Sequence, residues 1–387
     1  MSMTNASLQF PPAILSPEAL ALRDTLRRFL DDERRGGGFE PQCDGWITPS
    51  FEFSRKLGQA GFLALTWPKA YGGHARTQME RFVVTAELLA SGAPVAAHWI
   101  ADRQTGPLLL RIGTEAQRQK YLPPIARGEY SFAIGMSEPD AGSDLASVRT
   151  LATPRPGGGW LLNGAKIWTS NAHVYDAMVV FCRTAARTEQ RHQGFSQFIV
   201  ERNLPGVTMN PIRFLTGEHH FNEVVFDNVE LSDAQLLGRE GDGWAQITSE
   251  LAFERSGPER FLSTYPLLRA AMDTLGPTAD ARARFAVGQL VARFWTLYNM
   301  SMRVFGRLAA GLEADTEAVL VKELGARLEK EVAETLRLVI HSAPSRQSPD
   351  RTQALMATAI LHSPSFSLRG GTSEILRGII ARGLGLR

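Results

Sequence analysis

Three segments of the 387-residue chain gather residue types that do chemistry. The first, FAIGMSEPDAGSD (132–144), sets the hydroxyls of Ser137 and Ser143 in a stretch turned by Pro139 and Gly142. Hydroxyls and small residues beside open backbone N–H groups suit a phosphate or the polar edge of a heterocycle. A structural turn has the same composition. The second, NGAKIWTSNA (163–172), places Trp168, Thr169 and Ser170 at the end of a predicted strand. An aromatic plane beside hydroxyl donors suits a stacked ring system; a buried core Trp is the plainer alternative. In the third, SLRGGTSEILRGIIARGLGLR (367–387), Gly370-Gly371 makes a tight turn and Thr372 can cap the helix that follows. A helix N-terminus attracts anions, although capping accounts for Thr372 equally well.

Other chemistries lack their motifs. The chain has no GxGxxG after a strand, no Walker A loop, no HExxH and no GxSxG elbow. His219-His220 is the one adjacent histidine pair, and neighbours on a strand point to opposite faces, so no metal site is expected. Met300 and Met302 fall within a helical stripe and read as core filler. Cys43 and Cys182 cannot form a disulfide framework in a chain this long, which fits a reducing compartment. The formal charge is +2, with 36 Arg and six Lys scattered along the chain, which argues against nucleic acid as a partner. The first fifteen residues lack the pattern of a signal peptide, and no apolar run approaches a membrane span. A soluble, cytoplasmic protein is expected.

The elements that position the three segments form a helical, β, helical order. Length alone suggests roughly two to three domains. Texture divides the chain into an N-terminal helical domain (1–130), a central β domain (131–238) and a C-terminal helical bundle (239–387). Ser16-Pro17-Glu18 starts a helix that Gly36-Gly37-Gly38 ends, and further helices are predicted over 49–60, 76–91, 96–112 and 114–126. Strands are predicted over 148–154, 159–167, 177–184, 195–201 and 221–231, with Pro156-Gly157-Gly158-Gly159 as a hairpin turn. In the last of them Phe221, Val224, Phe226 and Val229 form the apolar set. Strands without intervening helices imply an antiparallel sheet or small barrel. Two stripes, one including Leu290, Val291, Phe294 and Leu297 and the other Leu320, Leu324, Leu328, Val332 and Leu336, imply a bundle of long helices.

Taken together, the three segments resemble, in order and spacing, the signatures of the acyl-CoA dehydrogenase family. The resemblance extends to GFLALTWPKAYGG (61–73), RIGTEAQRQKYLPPIARGE (111–129) and FNEVVFDNVELSDAQLLGREGDGW (221–244), and so covers most of the chain. It implies an α+β multidomain fold with an N-terminal helical domain, a central antiparallel β-barrel and a C-terminal four-helix bundle. It also implies FAD as cofactor and oxidation of an acyl-CoA thioester to the trans-2-enoyl-CoA. By resemblance, Ser137 meets the pyrimidine side of the flavin with Met136 nearby, and Ser143 lies between the FAD pyrophosphate and the CoA arm. Trp168 packs on the isoalloxazine, Thr169 and Ser170 approach N5, and Thr372 and Glu374 contact FAD. Many members carry the catalytic base as Glu in a Tyr-Glu-Gly-Thr loop; here Arg369-Gly370-Gly371-Thr372 puts Gly370 at that place. A minority place it on the first helix of the C-terminal domain within Leu-x-x-Glu-Arg, matched by Leu251-Ala252-Phe253-Glu254-Arg255. Glu254 is thus the implied base, with Glu250 one turn earlier as competitor. Arg255 is implied to hold substrate or orient the helix, and the Gly370 N–H to serve the thioester oxygen.

Two family elements that contribute to FAD are altered. LGPTADARARFAVGQL (275–290) lacks the usual Phe-Gly, leaving Arg282 or Arg284 as stand-ins, and IHSAPSRQSPDRTQ (340–353) lacks a Gly cluster. The resemblance implies an electron-transferring flavoprotein as acceptor and a homodimer or homotetramer, with hetero-oligomers as a precedent for the altered elements. Two other readings share the fold: an oxygen-using acyl-CoA oxidase or flavin monooxygenase, and a non-catalytic partner subunit of a heteromeric dehydrogenase.

Overall fold

The computed structural model describes residues 8–248, 255–341 and 343–386. They fall into two compact units. One holds the described residues of 1–45, 77–94 and 251–387, the other 46–76 and 95–250.

The first unit is helical. α1 (Pro17–Arg35) begins where Ser16 Oγ accepts from Ala19 N, and buries Ala19, Leu22, Leu26 and Leu30 along one face. α3 (Gln78–Ala90) starts from a capping box between Thr77 and Glu80. It pairs Glu87 with Arg27 of α1 at 2.7 Å. The C-terminal part supplies α8 (Tyr265–Leu275), α9 (Ala281–Ala309), α10 (Asp315–Val339) and α11 (Arg351–Phe366), the four helices of the expected bundle. The short α12 (Ser373–Gly383) follows the Gly370-Gly371 turn. The predicted stripes bury Leu290, Phe294 and Leu297, and Leu328, Val332 and Leu336. Val291 and Leu324 depart from them and are exposed, because each lies at the edge of its stripe.

The second unit carries the sheet. Its helices are α2 (Phe51–Gln59), α4 (Ala96–Ile100), α5 (Gly106–Ile112), α6 (Glu115–Ala126) and α7 (Gly243–Thr248). The helix predicted over 96–112 is interrupted by one π turn at Ala101–Thr105. The strands are β1 (Phe132–Gly135), β2 (Leu151–Pro154), β3 (Trp160–Lys166), β4 (Ala177–Arg183), β5 (Phe195–Glu201), β6 (Val207–Arg213), β7 (His219–Leu231) and β8 (Leu236–Leu237). Their order is β6-β7-β3-β2-β4-β5-β8, with β1 on β4. Most pairings are antiparallel as expected; β1–β4 and β2–β4 are parallel, so the sheet is mixed.

β4 is buried throughout because both its faces are covered. Met178, Val180 and Cys182 join one core cluster with Trp160, Phe198 and Phe226. Val179 joins another with Leu109, Leu122 and Ile125 of the flanking helices. Phe221 departs from its expected row. It is odd-numbered where buried Val224 and Phe226 mark the opposite face, and a register shift at Asn228 (φ 50°) returns Val229 to that face.

Candidate active site

The first two chemical segments meet at one edge of the sheet. β1 pairs with β4 as far as Gly135, and the next two carbonyls are then taken by the end of β3. Lys166 Nζ donates to Met136 O at 3.0 Å, and Ile167 N to Ser137 O at 2.8 Å. A trans peptide sets each N–H opposite the preceding carbonyl. With the Met136 carbonyl turned to Lys166, the Ser137 N–H points away from it. Lys166 is fully buried and also donates to Glu138 Oε1 at 2.8 Å. Burial pushes the Glu138 carboxyl up, but the Lys166 charge and N–H bonds from Thr150 and Arg149 outweigh it and hold it below the usual range. Burial lowers the Lys166 ammonium, with Glu138 opposing.

Beyond Lys166 the backbone is strained in a way that exposes an aromatic ring. Trp168 has φ 59° and is 54% exposed, so the core reading of this tryptophan does not hold. A non-glycine residue in that region costs on the order of 1–2 kcal/mol. Its ring meets Phe221 edge-on at 5.6 Å. Thr169 exchanges backbone hydrogen bonds with Asn222, both 3.1 Å, while its buried Oγ1 has no hydrogen-bond partner. Ser170 is half-buried. Asn171 (φ 53°) closes the turn by donating from Nδ2 to Ile47 O and Tyr175 Oη. Met136, Ser137, Trp168, Thr169 and Ser170 are therefore brought to one rigid edge.

Ser143 is exposed on the turn that follows the Glu138–Ala141 bridge. Next to it Asp144 accepts from Ser147 Oγ and from Arg191 Nη2 at 2.7 Å. Its carboxyl is held low by Ser147 first, then by Arg191 and Arg187. These two arginines of the β4–β5 loop bring positive charge beside Ser143. As expected, His219 and His220 separate: His219 stacks on His173 at 3.6 Å and His220 on Phe214 at 4.8 Å. Among the described residues no group of three or more His, Cys, Asp or Glu could hold a metal ion.

The third segment belongs to the helical unit. Gly370 (φ 68°) and Gly371 (φ 101°) lie in the left-handed region that favours glycine. A Cβ on Gly370 would stand 2.9 Å from Arg260 Nη1 and 3.1 Å from its Cζ, so the buried guanidinium lies directly against this glycine. Arg369 anchors the loop: Nη1 donates to both oxygens of Asp44 (2.7 and 2.8 Å), and Nη2 to Ser263 Oγ (2.8 Å) and Glu329 Oε2 (3.2 Å). Both carboxylates are buried. Burial opposes the Arg369 charge, and Asp44 and Glu329 together raise its pKa nonetheless. Thr372 occupies the N-cap of α12 but makes no side-chain cap. Nearby Glu374 is exposed, and its carboxyl is held low by its own backbone N–H and then by the Thr372 hydroxyl. Arg255 is half-buried, whereas Glu250 and Glu254 lie outside the described residues. Sequence reasoning missed Lys166, Glu138, Arg260 and the Asp44–Arg369–Glu329 group. One signal was available: Lys166 is a rare lysine in an otherwise apolar strand end.

The chain matches the profile of the acyl-CoA dehydrogenase N-terminal domain over residues 16–129, and that of the middle domain over 133–229. It belongs to the acyl-CoA dehydrogenase family. Acyl-CoA dehydrogenase FadE29 of Mycobacterium tuberculosis is 31% identical over 385 residues, spanning 95% of this chain and 96% of that one. The Tcur3481-Tcur3483 steroid ACAD superposes with a TM-score of 0.83 at 27% identity, covering 96% and 98% of the two chains. The ChsE4-ChsE5 complex of Mycobacterium tuberculosis gives 0.83 at 28% identity over 97% and 100%. The chain is thus an enzyme acting on the CH–CH bond of acyl-CoA, and the family's cofactor is FAD. The sheet edge fits a flavin. It offers an exposed ring at Trp168, a half-buried Ser137 whose N–H turns away from Lys166, and an orphaned hydroxyl at Thr169. None of the described helices is long and apolar enough to cross a membrane.

Proposed function

We propose that this acyl-CoA dehydrogenase forms the trans-2-enoyl-CoA with Glu254 as the base and the edge at Ser137 and Trp168 as the flavin seat. The observation that carries the seat is Trp168, held exposed on a strained backbone beside a buried, unpartnered hydroxyl. Strain of this kind persists where the surroundings enforce it and marks functional positions. The acceptor for the Cβ hydride would be supplied by bound FAD. Glu254 takes the Cα proton, and the Gly370 N–H with its neighbours orients the thioester oxygen. Met136, Ser137, Thr169 and Ser170 hold the ring edge, and Thr372 and Glu374 contact the cofactor from the C-terminal loop. Arg255 aids substrate. Ser143, with Arg187 and Arg191 nearby, receives phosphate charge from FAD and CoA.

Support for Glu254 comes from the Gly370 loop. Gly370 has no carboxyl, and Arg260 fills the space a side chain there would enter. The likeness to a steroid ACAD and to a two-component complex supports a bulky, ring-bearing acyl group and a hetero-oligomeric assembly. Exposed Val291 and Trp295, four residues apart on α9, supply an apolar surface for a partner. An electron-transferring flavoprotein is the proposed acceptor. The test is anaerobic flavin reduction with a panel of short, long, branched and ring-bearing acyl-CoAs. Glu254→Gln is expected to abolish bleaching by whichever thioester reduces the wild type fastest.

A further inference from the structure

A lysine ammonium and a carboxylate sealed in a sheet need a reason beyond stability. A buried ion pair is often matched or bettered by well-packed apolar side chains of the same volume. Lys166 has no exposed surface, and its stem lies 3.2 Å from the place a Cβ on Gly135 would take. Its ammonium spends its bonds on Met136 O and Glu138 Oε1, the residues either side of Ser137. Glu138 then accepts from Arg149 N (2.6 Å) and Thr150 N (2.9 Å), which fixes the carboxylate from behind. Ile167 N holds Ser137 O itself at 2.8 Å. Three consecutive residues, 136 to 138, are thus each bonded to 166 or 167, one residue short of Trp168. The donor at Ser137 and the ring at Trp168 therefore leave the sheet from one bonded block.

We propose that Lys166 and Glu138 are a positioning pair, which holds Ser137 and Trp168 at their working separation before FAD arrives. The proposal rests on the reading that those two residues seat the flavin. A preformed seat binds more tightly because the ordering cost is met during folding rather than during binding.

The test uses the full-length protein stripped of flavin and titrated with FAD. Lys166→Met and Glu138→Gln alone each leave a buried charge unmatched and lower the urea midpoint. The double variant K166M/E138Q removes both charges and is expected to regain most of that midpoint. Its Kd for FAD is nevertheless expected to rise at least tenfold, with a shifted visible band of the bound flavin. Wild-type Kd and band shape in the double variant would overturn the proposal. Ser137→Ala and Trp168→Leu separate seating from positioning. If neither alters Kd or spectrum, the seat reading fails and the proposal with it; if both do while the double variant does not, the positioning role alone fails. Should the double variant not fold, hydrogen exchange in the wild type decides. The amides of Arg149, Thr150 and Ile167 are expected to be as protected without FAD as with it. Protection that appears only on adding FAD contradicts a preformed seat.

Discussion

Gly370→Ala is the smallest change that probes how this chain differs from members with a loop glutamate. At φ 68° an L-residue costs about 1–2 kcal/mol, partly offset by about 0.5–1 kcal/mol because alanine restricts the unfolded chain. The added methyl would stand 2.9, 3.1 and 3.2 Å from three atoms of Arg260, inside ordinary contact distance. Arg260 is only 4% exposed, so its guanidinium has little room to withdraw, and overpacking of this kind costs about 1–3 kcal/mol. The sum is a destabilisation of about 1–4.5 kcal/mol, read from urea unfolding of the apoprotein. Gly288→Ala is the internal control. It lies within α9, where an added methyl would meet open space, so the same substitution is expected to stabilise by about 0.5–1 kcal/mol. Opposite signs support the close approach of Arg260. A cost below about 0.5 kcal/mol at Gly370, or no reduction of the cost when Arg260 is also changed to Ala, would refute it.

Three other outcomes follow from the same geometry. In E254Q/G370E the new carboxylate pairs with Arg260 and stays inert, so flavin reduction by acyl-CoA should remain near the E254Q level. Arg369→Met strands the buried carboxylates of Asp44 and Glu329 and should cost about 3–5 kcal/mol in urea unfolding, part of which returns on adding Glu329→Gln. His98, buried and bonded to Ser54 Oγ at 2.8 Å, has its pKa pushed down to about 3 by burial and then by Arg103. The unfolded chain takes up this proton near pH 6.5, so the contribution of His98 is complete above that pH. It falls by about 1.4 kcal/mol per unit between pH 6.5 and 3, and His98→Asn should remove that one-proton slope from urea midpoints measured between pH 7 and 4.

Local patterns carry most of the fold. Caps at Ser16 and Thr77, and apolar strands such as Ala177–Arg183, are readable from neighbours alone. β1 has no such local signature, because its four residues become a strand only by parallel pairing with β4, more than forty positions away. β6 escapes because its alternation, Val207-Thr208-Met209-Asn210, is short and is broken at Pro211. Simple alternation puts Val229 on the wrong face, since it cannot register the shift at Asn228. The site follows the same division. Ser137, Trp168 and Gly370 stand out through composition and turn chemistry. Arg260 beneath Gly370, and Asp44 beneath Arg369, come from residues over a hundred positions distant, and no spacing rule connects them.

We propose that this chain oxidises acyl-CoA on bound FAD with Glu254 as the base. Stopped-flow reduction of the flavin under anaerobic conditions, comparing wild type with Glu254→Gln, tests it most directly. Bleaching by at least one acyl-CoA is expected in the wild type, with a rate lowered by roughly a thousandfold or more in the variant, the scale of a lost general base. A variant that bleaches at the wild-type rate would contradict it.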